Sequence, residues 1–105
     1  MSRVFKFKEY YIAGVSHVIP GYYQDVVFIY NNNGRWVTVS AERFNTNDKE
    51  LSEIRDSIKY ATHEEDILNA IENLRKKGLK IEDVQKIPFP QNLIEGKKKI
   101  QEEFD

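Results

Sequence analysis

The chain contains no cysteine, so neither a disulfide nor a thiolate metal site can hold it together. That absence fits a reducing compartment. Glycine is scarce, and Gly14, Gly21, Gly34, Gly78 and Gly96 are scattered with no pair at a nucleotide-motif spacing, which excludes a glycine-rich phosphate loop. No apolar run approaches the roughly 18 residues of a membrane span. The stretch Met1-Ser2-Arg3-Val4-Phe5-Lys6-Phe7-Lys8 interleaves charge with apolar residues, unlike a secretory leader. These features together lead to the expectation of a soluble, cytoplasmic protein. A net charge of −1 excludes nucleic-acid binding driven by bulk electrostatics. There are only two histidines, His17 and His63, and neither lies in a recognisable nucleophile or metal motif.

What is present is divided unevenly. All of the aromatic residues except Tyr60, Phe89 and Phe104 fall within the first 44 positions. Residues 1–44 carry five basic side chains against three acidic ones, and residues 45–105 carry eleven against fourteen. The front half therefore reads as strands and the back half as charged helices. A length of 105 residues predicts a single domain, 1–105. A domain of this size buries roughly 65% of its unfolded surface, enough for a core without staples. Lys, Ile and Asn are abundant, at 11, 11 and 8, a usage that suits an AT-rich gene of a phage or mobile element.

Residues 3–7 and 10–15 have strand composition. Ile19-Pro20-Gly21 is a turn. The run Val26-Val27-Phe28-Ile29-Tyr30 predicts a strand buried on both faces. Asn33-Gly34 tolerates the left-handed backbone of a tight hairpin turn, and residues 35–40 alternate, so a hairpin is expected over about 25–40. Asn47-Asp48-Lys49-Glu50 has the form of a capping box, followed by Leu51, Ile54, Ile58 and Ala61 at helical spacing. The stretch 57–61 has a second reading, as a short strand. Thr62-His63-Glu64-Glu65 repeats the start signal for a helix over 63–77, with Gly78 at its C-cap. Leu79-Lys80-Ile81 reads as a short edge strand, Pro88-Phe89-Pro90 as extended backbone, and 91–104 as a last helix. The expected fold class is α+β: an antiparallel sheet of three or four strands from residues 3–44, with two or three helices packed on one face.

Candidate chemistry is sparse. His63 reads as an exposed helix-start residue. His17 could join Asp25 and a tyrosine in a polar cluster, although a structural histidine is the simpler reading. Ser16 and His17 are neighbours, which a strand points to opposite faces, so they are no dyad. Glu64, Glu65 and Asp66 fan over about 200° of a helix and cannot converge on a metal. The expectation is a non-enzyme with neither cofactor nor metal. The basic runs Arg75-Lys76-Lys77 and Lys97-Lys98-Lys99 suit helix C-termini.

The aromatics carry the functional reading. Phe5, Phe7 and Phe28 read as core. Tyr10-Tyr11 and Tyr22-Tyr23 are adjacent pairs, so in extended backbone one ring of each pair should face outward. Exposed tyrosines with few charges around them resemble a protein-binding surface. The leading expectation is thus a protein-binding module, an inhibitor or accessory factor, with Tyr10, Tyr11, Tyr22, Tyr23, Tyr30, Trp36 and Arg35 as partner-binding residues. The alternative is a single-stranded nucleic-acid binder that stacks bases on Tyr30 and Trp36 beside Arg35, helped by Lys6 and Lys8. A third expectation is a homodimer formed by paired sheets or helices.

Overall fold

A computed structural model describes residues 4–15 and 25–84. Among these residues five antiparallel strands form one sheet: β1 (Val4–Phe7), β2 (Tyr10–Val15), β3 (Asp25–Asn32), β4 (Arg35–Ser40) and β5 (Glu82–Val84). Their order across the sheet is β4-β3-β2-β1-β5. A single turn of 3₁₀ helix over Ala41–Arg43 leads from β4 toward α1 (Lys49–Ile58), which is followed by α2 (Glu64–Lys76). The fold is α+β, with both helices on one face of the sheet.

Alternation explains which side chains meet the helices. Phe5 and Phe7 of β1, Ile12 of β2, and Val26 and Phe28 of β3 share one cluster with Leu51, Ile54 and Ile58 of α1 and Ile67, Ile71 and Leu74 of α2. Phe44, just beyond the 3₁₀ turn, stacks on Phe28 at 4.1 Å between centroids and 16° between planes. Each fully buried aromatic or aliphatic side chain here contributes about 1.5–3 kcal/mol of apolar transfer. Intervening residues form a second buried cluster on the opposite face: Tyr11, Ala13, Val27 and Ile29, with Val4, Trp36 and Val84 packed against it. The middle of β3 is therefore apolar and buried on both faces, as its unbroken hydrophobic run predicts.

The helix boundaries show small shifts from the sequence reading. Asp48, not Asn47, caps α1, its Oδ1 accepting from the N–H groups of Glu50 and Leu51 at 2.9 and 3.1 Å. At α2 the cap is His63, and Asp66 reaches back to accept from the N–H of Thr62 and of His63, each at 3.2 Å. Both motifs sit one residue later than the capping-box reading places them, because Asn, Asp and Thr all make acceptable caps in sequence. Helix α1 ends at Ile58, so 57–61 forms no strand.

Helix α2 stops in a Schellman motif. Gly78, at φ 101°, donates to the Arg75 carbonyl, and Leu79 donates back to Leu74, with which it shares the core. The chain beyond this turn enters β5 at Glu82, three residues later than the expected edge strand over 79–81. Leu79 and Ile81 are instead buried in the helix-side core. Arg75 anchors the return: its guanidinium donates to the Ile81 carbonyl at 2.8 and 3.0 Å and to Asp83 at 3.0 Å. The fifth strand is therefore contributed from beyond the helices, and the front half alone supplies four. The expected helix over 91–104, the turn at 19–21 and the extended segment at 88–90 lie outside the described residues.

Candidate functional site: the β3–β4 hairpin

The hairpin begins with local backbone chemistry. Asn33 and Gly34 both have positive φ, at 53° and 82°, the signature of a type I′ turn whose twist matches the strands it joins. Gly34 donates its N–H to Oδ1 of Asn31 at 2.9 Å, which braces the tip. The register then runs Asn32↔Arg35, Asn31↔Trp36, Tyr30↔Val37, Ile29↔Thr38, Phe28↔Val39 and Val27↔Ser40. Residues 31–35 are exposed, and Trp36, Val37, Val39 and Ser40 are half-buried. Thr38 is exposed as well. Among the described residues β4 is the outermost strand at its end of the sheet.

This register decides where each expected site residue goes. Tyr30 shares the helix-bearing face with Phe28, Val37 and Val39, and it packs half-buried against Tyr10 at 5.2 Å and Phe44 at 6.1 Å. Tyr10 is also half-buried and meets Phe44 at 5.4 Å in a T-shaped contact. Tyr11 points the other way, as its neighbour in a strand must. It is not a surface ring: only 8% of it is exposed, in the second cluster. Trp36 lies on that second face at 6.3 Å from Tyr11, whose ring also receives the Lys6 ammonium at 5.6 Å. Arg35 is exposed and, by its pairing, belongs to the face of Tyr30. Tyr22, Tyr23 and His17 lie outside the described residues, and Asp25 opens β3 opposite Val15.

Tyr30 and Trp36 stand on opposite faces of the sheet, so with Arg35 they do not form one platform. Lys8, expected with Lys6 to assist nucleic-acid binding, lies just beyond β1. At φ 54° it occupies the β1–β2 turn, and its ammonium bonds Asp48 at 2.6 Å and Glu50 at 3.1 Å. In the run 75–77, Arg75 is engaged by Ile81 and Asp83, and Lys77 bonds Glu53 at 2.8 Å.

Among the described residues the groups with displaced pKa values are Lys8 in the β1–β2 turn, Asp48 and Asp66 at helix starts, and Asp56 in the last turn of α1. Asp48 is held below the usual carboxylate range, first by the Lys8 hydrogen bond and then by the Leu51 N–H. Asp66 is lowered as well, chiefly by the N–H of Thr62. Lys8 is raised by its two carboxylate partners. Asp56 is lowered by the adjacent Arg55 guanidinium. The interactions of Lys8, Asp48 and Asp66 secure a turn and two helix caps, whereas the Asp56–Arg55 pair lies within α1. Among the described residues no group of three His, Asp or Glu side chains is placed to hold a metal ion, and no helix is long and apolar enough to cross a membrane.

Comparison with protein-family models, with curated proteins and with solved structures finds no match to this chain. Its sequence gave no direct signal for the edge position of β4, because strand order follows from long-range pairing. Only the lack of proline and of a charge within Trp36–Ser40 hinted that the strand could accept a neighbour.

Proposed function

We propose that this domain is a non-enzymatic, cytoplasmic protein-binding module that works through the β3–β4 hairpin and receives an extended protein segment along the edge of β4. The supporting observation is the character of that edge. Natural sheets guard an outer strand with proline, a bulge, an inward charge or extreme shortness. β4 is six residues long, reads Arg-Trp-Val-Thr-Val-Ser, pairs with β3 without a bulge, and exposes Thr38 at its middle. Such a strand offers backbone hydrogen bonds for affinity and alternate side chains for selectivity. Arg35 and the exposed tip 31–34 supply a polar rim, while Tyr30, Trp36 and the two valines supply half-buried apolar surface. An inhibitor or accessory factor that acts by docking has these requirements. The division of Tyr30 and Trp36 between faces makes the nucleic-acid alternative the weaker reading.

Site-specific photo-cross-linking tests this. A photoreactive residue at position 38 should give a discrete protein adduct in cells, and one at Ser57, on the exposed side of α1, should not. Equal or absent adducts at the two positions would remove the edge as the site. The mass of the adduct also tells whether the partner is another protein or a second copy of this chain.

A further inference from the structure

We infer that the segment 85–105 docks on the second face of the sheet, opposite the helices, and closes the cluster around Tyr11 and Ile29. Both helices pack on the other face, so no described element stands over this one. Its residues are nonetheless apolar and buried, with Ala13 and Ile29 each only 1% exposed. Side chains stand roughly perpendicular to a sheet, so neighbours in one layer shield the flanks of a side chain but not its tip. Ile29 follows Val27 on this face of β3 and pairs with Tyr11 on one side and Thr38 on the other. None of these rises above it, so Ile29 needs a cover to lose nearly all of its surface. That burial belongs to a single copy, so the cover comes from this chain.

Three segments are available. Residues 1–3 offer one apolar side chain, Met1. Residues 16–24 offer Val18, Ile19, Tyr22 and Tyr23, but they leave β2 at Val15 and re-enter β3 at Asp25, its cross-strand partner. They must therefore go out from one end of the sheet and come back to it. Ile29 lies about 13 Å along β3 from that end, so the return trip takes nearly the whole reach, about 30 Å, of so short a link. The segment 85–105 has no such restriction. It follows Val84, which already packs against the second cluster. Three strand spacings, about 14 Å, separate β5 from β3, a span that about ten helical residues cover. Leu93, Ile94, Ile100 and Phe104 share one side of the helix that the sequence predicts over 91–104, and Glu95 and Glu102 fall on the other. An apolar stripe of this kind matches an apolar sheet face, and the sheet then has a layer on each side.

Nuclear magnetic resonance of the full chain tests this. The native sequence lacks cysteine, so one introduced cysteine carries a nitroxide to a single place. On Glu95→Cys the label should broaden the methyl signals of Ala13, Val27 and Ile29 several-fold more than those of Ile54 and Ile71, which belong to the helix-side core. In the unlabelled chain, Ile100→Asp should shift those same second-face methyls, leave Ile54 and Ile71 in place and lower the melting temperature. If Ile100→Asp fails to fold, the Glu95 label still decides, because it sits on the polar side of the stripe. A Glu95 label that broadens the helix-side methyls more strongly, or broadens neither set, overturns the inference. So does second-face broadening that arises from a label on Tyr22→Cys and not from one on Glu95→Cys, which assigns the cover to 16–24.

Discussion

The ammonium of Lys8 lies 2.6 Å from Oδ2 of Asp48, across 40 positions of sequence. It joins the β1–β2 turn to the residue that caps α1. The same carboxylate accepts from the first-turn N–H groups through its other oxygen, so one aspartate fixes both the start of a helix and its seat on the sheet.

This pair predicts a pH dependence. Asp48 has a lowered pKa in the folded chain, so its stabilising contribution is complete above the unfolded aspartate value and is lost as pH falls through the folded one. Lys8 has a raised pKa, so its contribution is complete below the unfolded lysine value and is lost as pH rises through the folded one. Asp48→Asn keeps a capping oxygen and removes the charge. It should lower the melting temperature modestly near neutral pH, and the deficit should close as the native chain is acidified below the carboxylate range. Asp48→Ala should cost more at every pH at which Asp48 is ionised. Thermal melts across pH check both.

Arg75 should hold β5 in the sheet. Arg75→Ala leaves the Ile81 carbonyl and Asp83 without their guanidinium donor. The side chain is partly exposed, so the loss of global stability should be about 1 kcal/mol. Hydrogen exchange should report a larger local effect, with the amides of 82–84 exchanging faster than those of β2 and β3. Lysine at this position should rescue little, because one ammonium cannot reproduce the forked geometry.

Gly34 isolates a backbone effect. An added Cβ there meets nothing within 4 Å, yet φ is +82°. Gly34→Ala should therefore cost about 1–2 kcal/mol through the left-handed conformation alone. Denaturant melts should show a shifted midpoint with an unchanged slope.

Side-chain truncation should separate core from surface among the hairpin aromatics. Phe28→Ala, at a side chain with 0% exposure, should cost about 3–5 kcal/mol. Tyr11→Ala should also lower the melting temperature, so weakened partner capture in that variant would say nothing about contact. Arg35→Ala should leave stability within about 0.5 kcal/mol, as for other exposed positions. It is the cleaner probe of binding, and paired melts and capture assays would establish the contrast.

The sequence alone determined those features that depend on neighbours along the chain. The hairpin at 25–40 was legible because Asn33-Gly34 admits the required backbone and the flanking residues alternate. The buried stripes of both helices were legible because Leu51, Ile54 and Ile58, and Ile67, Ile71 and Leu74, recur at the helical period. Cap positions were recovered to within one residue, since several adjacent polar residues satisfy the same donors.

Tertiary structure decided the rest. Leu79 and Ile81 resemble a strand by composition, but the Schellman turn and the Arg75 clasp send them into the core and delay pairing until Glu82. Lys8 follows a strand-like run, and its positive φ and two carboxylates 40 and 42 positions away hold it in a turn that links the sheet to α1. The Tyr10–Tyr11 pair had to split between faces, but only the presence of a buried cluster on the second face removed Tyr11 from the surface. The edge position of β4 was invisible for the same reason. Periodicity specifies which way a side chain points from its own strand. What lies on that side, and which strand stands last in the sheet, is set by pairings and packing between residues far apart in sequence.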